Sequence, residues 1–146
     1  MSYSTWHYYG YGICVDDIKV KSVDALKELL SFAPKLECEI QQWIEDCEIT
    51  EPTTEDYLEW EDDFGYRGLA AILREVIAES EEIDFAACED YNGVDYLIYE
   101  PRYPWGMSAN DKTLTETEIQ RILRTYVNIL TDAVINIDYQ SVENGG

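Results

Sequence analysis

The chain concentrates its negative charge in one region, and this constrains how it can fold. Between Leu36 and Tyr66 there are twelve acidic residues and no Lys or Arg, and the stretch up to residue 100 adds nine more acids against two arginines. Residues 1–35 and 101–146 are close to balanced, so the net charge of −21 is regional. Charges of the same sign that lie close together repel one another and so oppose the compaction of the chain. The charge is therefore either tolerated as a solvated surface or meets a positively charged partner.

The composition predicts one folded domain over residues 1–146. Hydrophobic residues make up 46% and aromatic residues 13% of the chain, which argues against the composition of a disordered protein. No apolar run approaches the length of a membrane span, and the polar, aromatic N-terminus lacks the pattern of a signal peptide. We therefore expect a cytoplasmic protein, in the host cytoplasm if it is encoded by a phage.

Apolar residues recur at helical spacing in several segments. Ser22 is a candidate N-cap for a helix that ends before Pro34, and Thr115 is one for the last long helix. Three further stripes predict helices between them: Leu36, Ile40, Trp43, Ile44 and Cys47; Tyr57, Trp60 and Phe64; and Leu69, Ile72, Leu73, Val76 and Ile77.

Strand signals lie at the start and in the middle of the chain. The aromatic stretch from Tyr3 to Val15 predicts a strand, bent or bulged near its two glycines. Asn92 and Gly93, between two β-favouring runs, predict a hairpin. Residues 134–139 either extend the last helix or form a final strand, and the tail from residue 143 should fray. The fold class is α+β: a small antiparallel sheet, made of the N-terminal strand and the central hairpin, covered by four or five helices.

The residues that usually perform catalysis or bind metals form no known pattern here. His7 is the only histidine, and the four cysteines, each in an apolar pattern, suggest buried free thiols. Ligand spacings typical of zinc are absent, and the turn with Asp90, Asn92 and Asp95 does not fit a calcium loop. We therefore predict no catalytic residues, no metal site, no cofactor and no enzymatic activity.

The charge also selects the class of partner. Nucleic acid and anionic membranes repel an acidic protein, whereas a basic protein surface attracts it, and many such surfaces exist to hold nucleic acid. Acidic positions surround the apolar stripes of the two central helices and can imitate a polyanion. The predicted contact set for a basic nucleic-acid-binding protein is Glu45, Asp46, Glu48, Glu55, Asp56, Glu59, Glu61, Asp62 and Asp63.

In size, charge and lack of a catalytic motif, with the match concentrated between Glu37 and Glu100, the chain resembles small acidic inhibitors made by phages and mobile elements. These are the DNA-mimic anti-restriction and anti-CRISPR proteins. The resemblance implies that the chain occupies the nucleic-acid channel or motif-reading site of a bacterial defence nuclease, either a CRISPR effector or a restriction nuclease.

Several alternatives remain open at the level of sequence. The chain could be an immunity protein that neutralises a basic nuclease toxin, or a carboxylate-dependent small-molecule or metal-assisted enzyme, which would need a concave pocket with two carboxylates. Exposed aromatic residues of the N-terminal strand would instead indicate a homodimer. An acidic face that only keeps the protein in solution is the remaining interpretation.

Overall fold

Five helices and a four-stranded antiparallel sheet make up the part of the chain that the structure, a computed structural model, describes. It describes residues 6–61, 68–90, 92–99 and 114–144, with the backbone alone for 6–9, 143 and 144. The strands are β1 (Trp6–Cys14), β2 (Ala86–Glu89), β3 (Asp95–Tyr99) and β4 (Asp138–Asn144). The helices are α1 (Val23–Leu30), α2 (Pro34–Asp46), α3 (Thr54–Leu58), α4 (Leu69–Glu81) and α5 (Glu116–Leu130). The predicted α+β fold, with four or five helices, is confirmed.

The N-terminal strand lies inside the sheet, whose order is β2-β3-β1-β4. β1 pairs with β3 from Tyr11 opposite Tyr99 to Cys14 opposite Tyr96, and the register is unbroken, so the expected bulge is absent from this stretch. A side chain at Gly12 would instead fall on the carbonyl oxygen of Leu97. Glycine is therefore required here because the neighbouring backbone approaches closely.

The final segment forms a strand rather than a longer helix. β4 pairs with β1 from Gly12 opposite Asp138 to Trp6 opposite Asn144. Residues 143 and 144, which we expected to fray, are therefore part of the sheet. The reason is the length of β1, whose nine residues provide partners as far as Trp6.

The helices bury their apolar stripes against one face of the sheet. Ile13, Leu97 and Tyr99 belong to this core, together with inward residues of all five helices. Ile98 and Val142, on the opposite face, belong to a separate small cluster with Cys88. The sheet thus divides the apolar residues into a main core and a minor one.

The helix predicted from Tyr57, Trp60 and Phe64 ends earlier in the structure than expected. The helix expected to extend through Phe64 ends at Leu58, although Tyr57 and Trp60 are both buried as predicted. Phe64 lies outside the described residues. The apolar spacing still predicts the burial of Trp60 correctly, because the turn after Leu58 keeps this side chain directed inward. The next helix begins at Leu69, after Gly68, whose φ of 85° is not helical.

The prediction of buried cysteines holds for only part of the set. Cys88 is buried and Cys14 is partly buried, but Cys38 and Cys47 are exposed, and all four are free thiols. Cys47 continues the apolar stripe of α2 in the sequence, yet α2 has already ended at Asp46. No helix in the described part of the chain is long and apolar enough to cross a membrane.

Candidate partner-binding surface

α2 separates apolar from acidic residues because its buried positions recur at helical spacing. Leu36, Ile40 and Ile44 are buried, whereas Glu45 and Asp46 are exposed. At about 100° per residue, Glu45 lies roughly opposite the buried stripe and Asp46 lies on its flank. Asp46 accepts a hydrogen bond from the Gln42 amide at 3.0 Å. α2 therefore presents carboxylates on more than one side.

A carboxylate from another helix fixes the start of α2. The two oxygens of Glu79, in α4, accept hydrogen bonds from the backbone N–H groups of Lys35 at 2.9 Å and Leu36 at 3.1 Å. The first N–H groups of a helix have no partner within the helix, and a negative charge there also interacts well with the helix dipole. Glu79 belongs to the acidic region of the sequence, but its function is structural.

α2 ends in a way that is unusual for glutamate. The N–H of Glu48 bonds to the carbonyl of Glu45 at 3.0 Å, and the N–H of Ile49 bonds to that of Ile44 at 3.1 Å. This is the Schellman pattern, in which the residue after the C-cap is left-handed and usually glycine. Here that residue is Glu48, with φ of 59°. An exposed carboxylate thus occupies a position where glutamate costs conformational energy.

α3 is short and is held by a capping box. The Asp56 carboxylate accepts hydrogen bonds from the Thr53 N–H at 2.8 Å and the Thr53 hydroxyl at 3.1 Å, and the Thr53 hydroxyl oxygen accepts from the Asp56 N–H at 3.3 Å. Such a box satisfies N–H groups at the helix start. Asp56 is one of the nine predicted contact residues, but its carboxylate caps the start of α3 and the residue is only partly exposed.

The structure brings most of the predicted contact residues to the surface. α2 and α3 are linked by a hydrogen bond that the Gln41 amide donates to the Tyr57 hydroxyl at 3.4 Å. Asp62 and Asp63 lie outside the described residues. The α2–α3 surface is defined here by the exposed carboxylates of Glu45, Asp46, Glu48, Glu55, Glu59 and Glu61.

Basic side chains leave most of this surface without an ion pair within the described part of the chain. The ion pairs found there are Lys21 with Asp132 at 3.2 Å, Arg74 with Glu75 at 2.9 Å, and Arg121 with Glu81 at 3.9 Å. In the same ranges, five of the six carboxylates of the α2–α3 surface form no ion pair: Glu45, Asp46, Glu48, Glu55 and Glu61. Their charges are open to solvent and to any partner.

A second group of carboxylates, which the sequence did not predict as a cluster, lies at one end of the sheet. Asp95 is opposite Glu89 in the β2–β3 pair, and its N–H donates to the Asp16 carboxylate at 3.4 Å. Asp90 accepts from the N–H groups of Asn92 at 2.8 Å and Val94 at 3.0 Å, which fixes the hairpin turn. The sequence feature that could have revealed this cluster is an aspartate, Asp95, at a position of β3 whose side chain is on the same face as the core residues Leu97 and Tyr99.

Metal and carboxylate catalysis each require several side chains held close together. Among the described residues, no three His, Cys, Asp or Glu side chains are placed to hold a metal ion. A shallow cleft beside β1 and α5 has no carboxylate in its lining, which consists of Ile13, Arg124, Val127, Asn128, Ile135 and Ile137. It therefore lacks the carboxylate pair that the enzyme alternative requires.

Comparison of the chain with protein-family models, with curated proteins and with solved structures finds no significant match.

Proposed function

We propose that this chain is an acidic inhibitor protein that binds the basic nucleic-acid-binding surface of a bacterial defence nuclease and blocks DNA recognition or cleavage. It would act in the cytoplasm of the host cell, on a CRISPR effector or a restriction nuclease. The observation that supports this most directly is the α2–α3 surface. Five of its exposed carboxylates form no ion pair among the described residues: Glu45, Asp46, Glu48, Glu55 and Glu61.

The charge density of α2 is comparable to that of a nucleic-acid strand. Five carboxylates, those of Glu37, Glu39, Glu45, Asp46 and Glu48, follow one another along α2 and its last turn. At 1.5 Å per residue this stretch spans about 17 Å, with an average spacing of about 4 Å between successive charges. One strand of duplex DNA carries a charge about every 3.4 Å. α3, beside α2, supplies further carboxylates.

The backbone at Glu48 bears on the same surface, and Glu82, outside it at the end of α4, has the same left-handed conformation at φ of 58°. A left-handed conformation costs a residue with a side chain about 1–2 kcal/mol relative to the right-handed one, and Glu48 adopts it at φ of 59°. Unfavourable backbone conformations tend to persist where function requires the side chain. A carboxylate kept where glycine would be more stable is consistent with a surface selected for charge.

The first test is capture of the target at two salt concentrations. The protein is immobilised and exposed to bacterial lysates that contain defence nucleases, and the captured nuclease is purified and assayed for DNA cleavage. We expect recovery at low salt, loss of recovery as salt rises, and inhibition of cleavage that excess duplex DNA relieves, because counterions released on binding make such contacts salt-sensitive.

Charge-reversal variants test whether the α2–α3 surface is the part of the protein that binds the nuclease. Changing Glu45, Glu48, Glu55 and Glu61 together to Lys should abolish capture and inhibition. The matched control reverses four exposed acids of the balanced flanks, Asp17, Asp24, Glu28 and Asp138, and should retain most of both. Equal loss in the two variants would show that only net charge matters. Capture that survives reversal of the α2–α3 surface, or the absence of any captured nuclease, would overturn the proposal, and capture of a nuclease toxin would favour the immunity-protein alternative.

A further inference from the structure

Three segments place carboxylates against one another at the end of the sheet that carries the β2–β3 turn. Asp95, the first residue of β3, is directly opposite Glu89, the last residue of β2. On the other side of β3, β1 ends at Cys14. Asp95 therefore lies beside the single 3-10 turn that follows β1, which is formed by Val15–Asp17. The Asp16 carboxylate in that turn accepts the Asp95 N–H at 3.4 Å. Carboxylates on β2, β3 and the turn therefore adjoin.

Asp95 is also directed towards the core. Side chains alternate between the two faces of a strand, and Leu97 and Tyr99, two and four residues further on, are buried in the main core. Asp95 is accordingly half-buried at the rim of that core rather than free in solvent. A carboxylate in this position loses part of its hydration while facing like charges.

We propose that this junction is a pH-sensitive element of the fold: in mildly acidic solution the folded protein takes up a proton at Asp95, and the β2–β3 hairpin is then held more firmly against β1 and the turn that follows it. The proposal does not depend on the partner or on the α2–α3 surface.

The charged groups around Asp95 all raise its pKa. Glu89 faces it from β2, Asp90 from the hairpin turn, and Asp16 from the 3-10 turn; burial first, and then Asp16, Glu89 and Asp90, raise the pKa of Asp95 to about 6. No described Lys or Arg opposes this effect. At the end of β1, burial and then Asp17 raise the pKa of the Cys14 thiol as well.

The sign of the effect on stability follows from proton binding. The folded protein holds a proton on Asp95 up to about pH 6, whereas an ordinary Asp, as in the unfolded chain, releases it near 3.8. Between these values the folded state binds more protons, so the free energy of unfolding rises as the pH falls. Above about pH 6 the junction is destabilised by an ionised carboxylate that is both partly buried and repelled.

The test compares wild type with Asp95→Asn in urea unfolding at about pH 7.5 and about pH 5. Asparagine is neutral and similar in shape, so the variant should be more stable than wild type at the higher pH, with an unfolding equilibrium constant lower by roughly tenfold. At the lower pH the difference should be smaller, because Asp95 in the folded protein is then mostly protonated, and it should disappear below about pH 3.8, where the unfolded chain holds the proton as well. Glu45→Gln, at an exposed carboxylate on α2, is the control, and its difference from wild type should be similar at both pH values.

A second measurement remains informative if the variant folds poorly. An NMR titration of the Asp side-chain carboxyl carbons in wild type should show Asp95 with a midpoint near 6. A midpoint near 4, or an Asp95→Asn difference that is the same at both pH values, would overturn the proposal.

Discussion

At the scale of single residues, Glu48 combines a conformational cost with an exposed charge. Its φ of 59° is a conformation that glycine adopts freely. We predict that Glu48→Gly raises the free energy of unfolding by about 0.5–1 kcal/mol, since the cost of the left-handed conformation exceeds the added entropy of the unfolded chain. The same change should weaken capture of the proposed nuclease.

Glu45→Gly provides the contrast, because it removes the same charge from a helical position. It should lower the free energy of unfolding by about 0.5–1 kcal/mol, as glycine does within helices. Urea unfolding measures both effects. If the two substitutions changed stability in the same direction, the interpretation of Glu48 as a strained position would be wrong.

At the scale of elements, the position of α2 depends on Glu79 in α4. Its carboxylate is the acceptor for two N–H groups at the start of α2, those of Lys35 and Leu36. We predict that Glu79→Ala lowers the free energy of unfolding by about 1–2 kcal/mol, the range for loss of a helix cap. Amide hydrogen exchange should also accelerate in the first turn of α2, where the N–H groups lose their acceptor.

Glu75→Ala, one turn earlier on α4, is the matched control. Glu75 pairs with Arg74 of its own helix at 2.9 Å, so its loss should not free the N–H groups of α2. Its substitution should leave exchange in α2 unchanged. Faster exchange at Lys35 and Leu36 in this control would show that the effect comes from α4 in general and not from the cap.

At the scale of the whole molecule, self-repulsion should be visible as a dependence of stability on salt. The net charge is −21, and five of the six carboxylates of the α2–α3 surface form no ion pair among the described residues. Raising NaCl from about 10 to about 150 mM shortens the screening length from about 30 to about 8 Å. We predict a higher melting temperature, by about 4 °C for each kcal/mol of repulsion that is screened.

Calorimetry on wild type and on a variant with Gln at positions 45, 48, 55 and 61 measures this effect. The variant should show a smaller rise with salt, because fewer charges remain to be screened. A melting temperature that stays flat in wild type would mean that the carboxylates are paired or too far apart to repel one another.

The sequence determined the features that depend on neighbouring residues. The 3.6-residue spacing of apolar side chains identified the helices, the Asn92–Gly93 pair identified the β2–β3 hairpin, and the order of charges confined the acidity to the centre of the chain. These signals are local because burial of one helix face, or a tight turn, is encoded within a few consecutive residues. They were sufficient for the α+β class and for the predicted exposure of Glu45, Asp46, Glu48, Glu55, Glu59 and Glu61.

The tertiary structure decided what each carboxylate does. Glu79 and Lys35 are 44 residues apart in sequence, and Asp95 and Asp16 are 79 apart, so no local pattern could predict that the first pair caps α2 or that the second adjoins at the end of the sheet. The pairing of β4 with β1 is equally non-local. In a chain with 31 acidic residues the side chains look alike in sequence. Only packing, which brings distant segments together and removes water from some of them, distinguishes a structural carboxylate from one that is available to a partner.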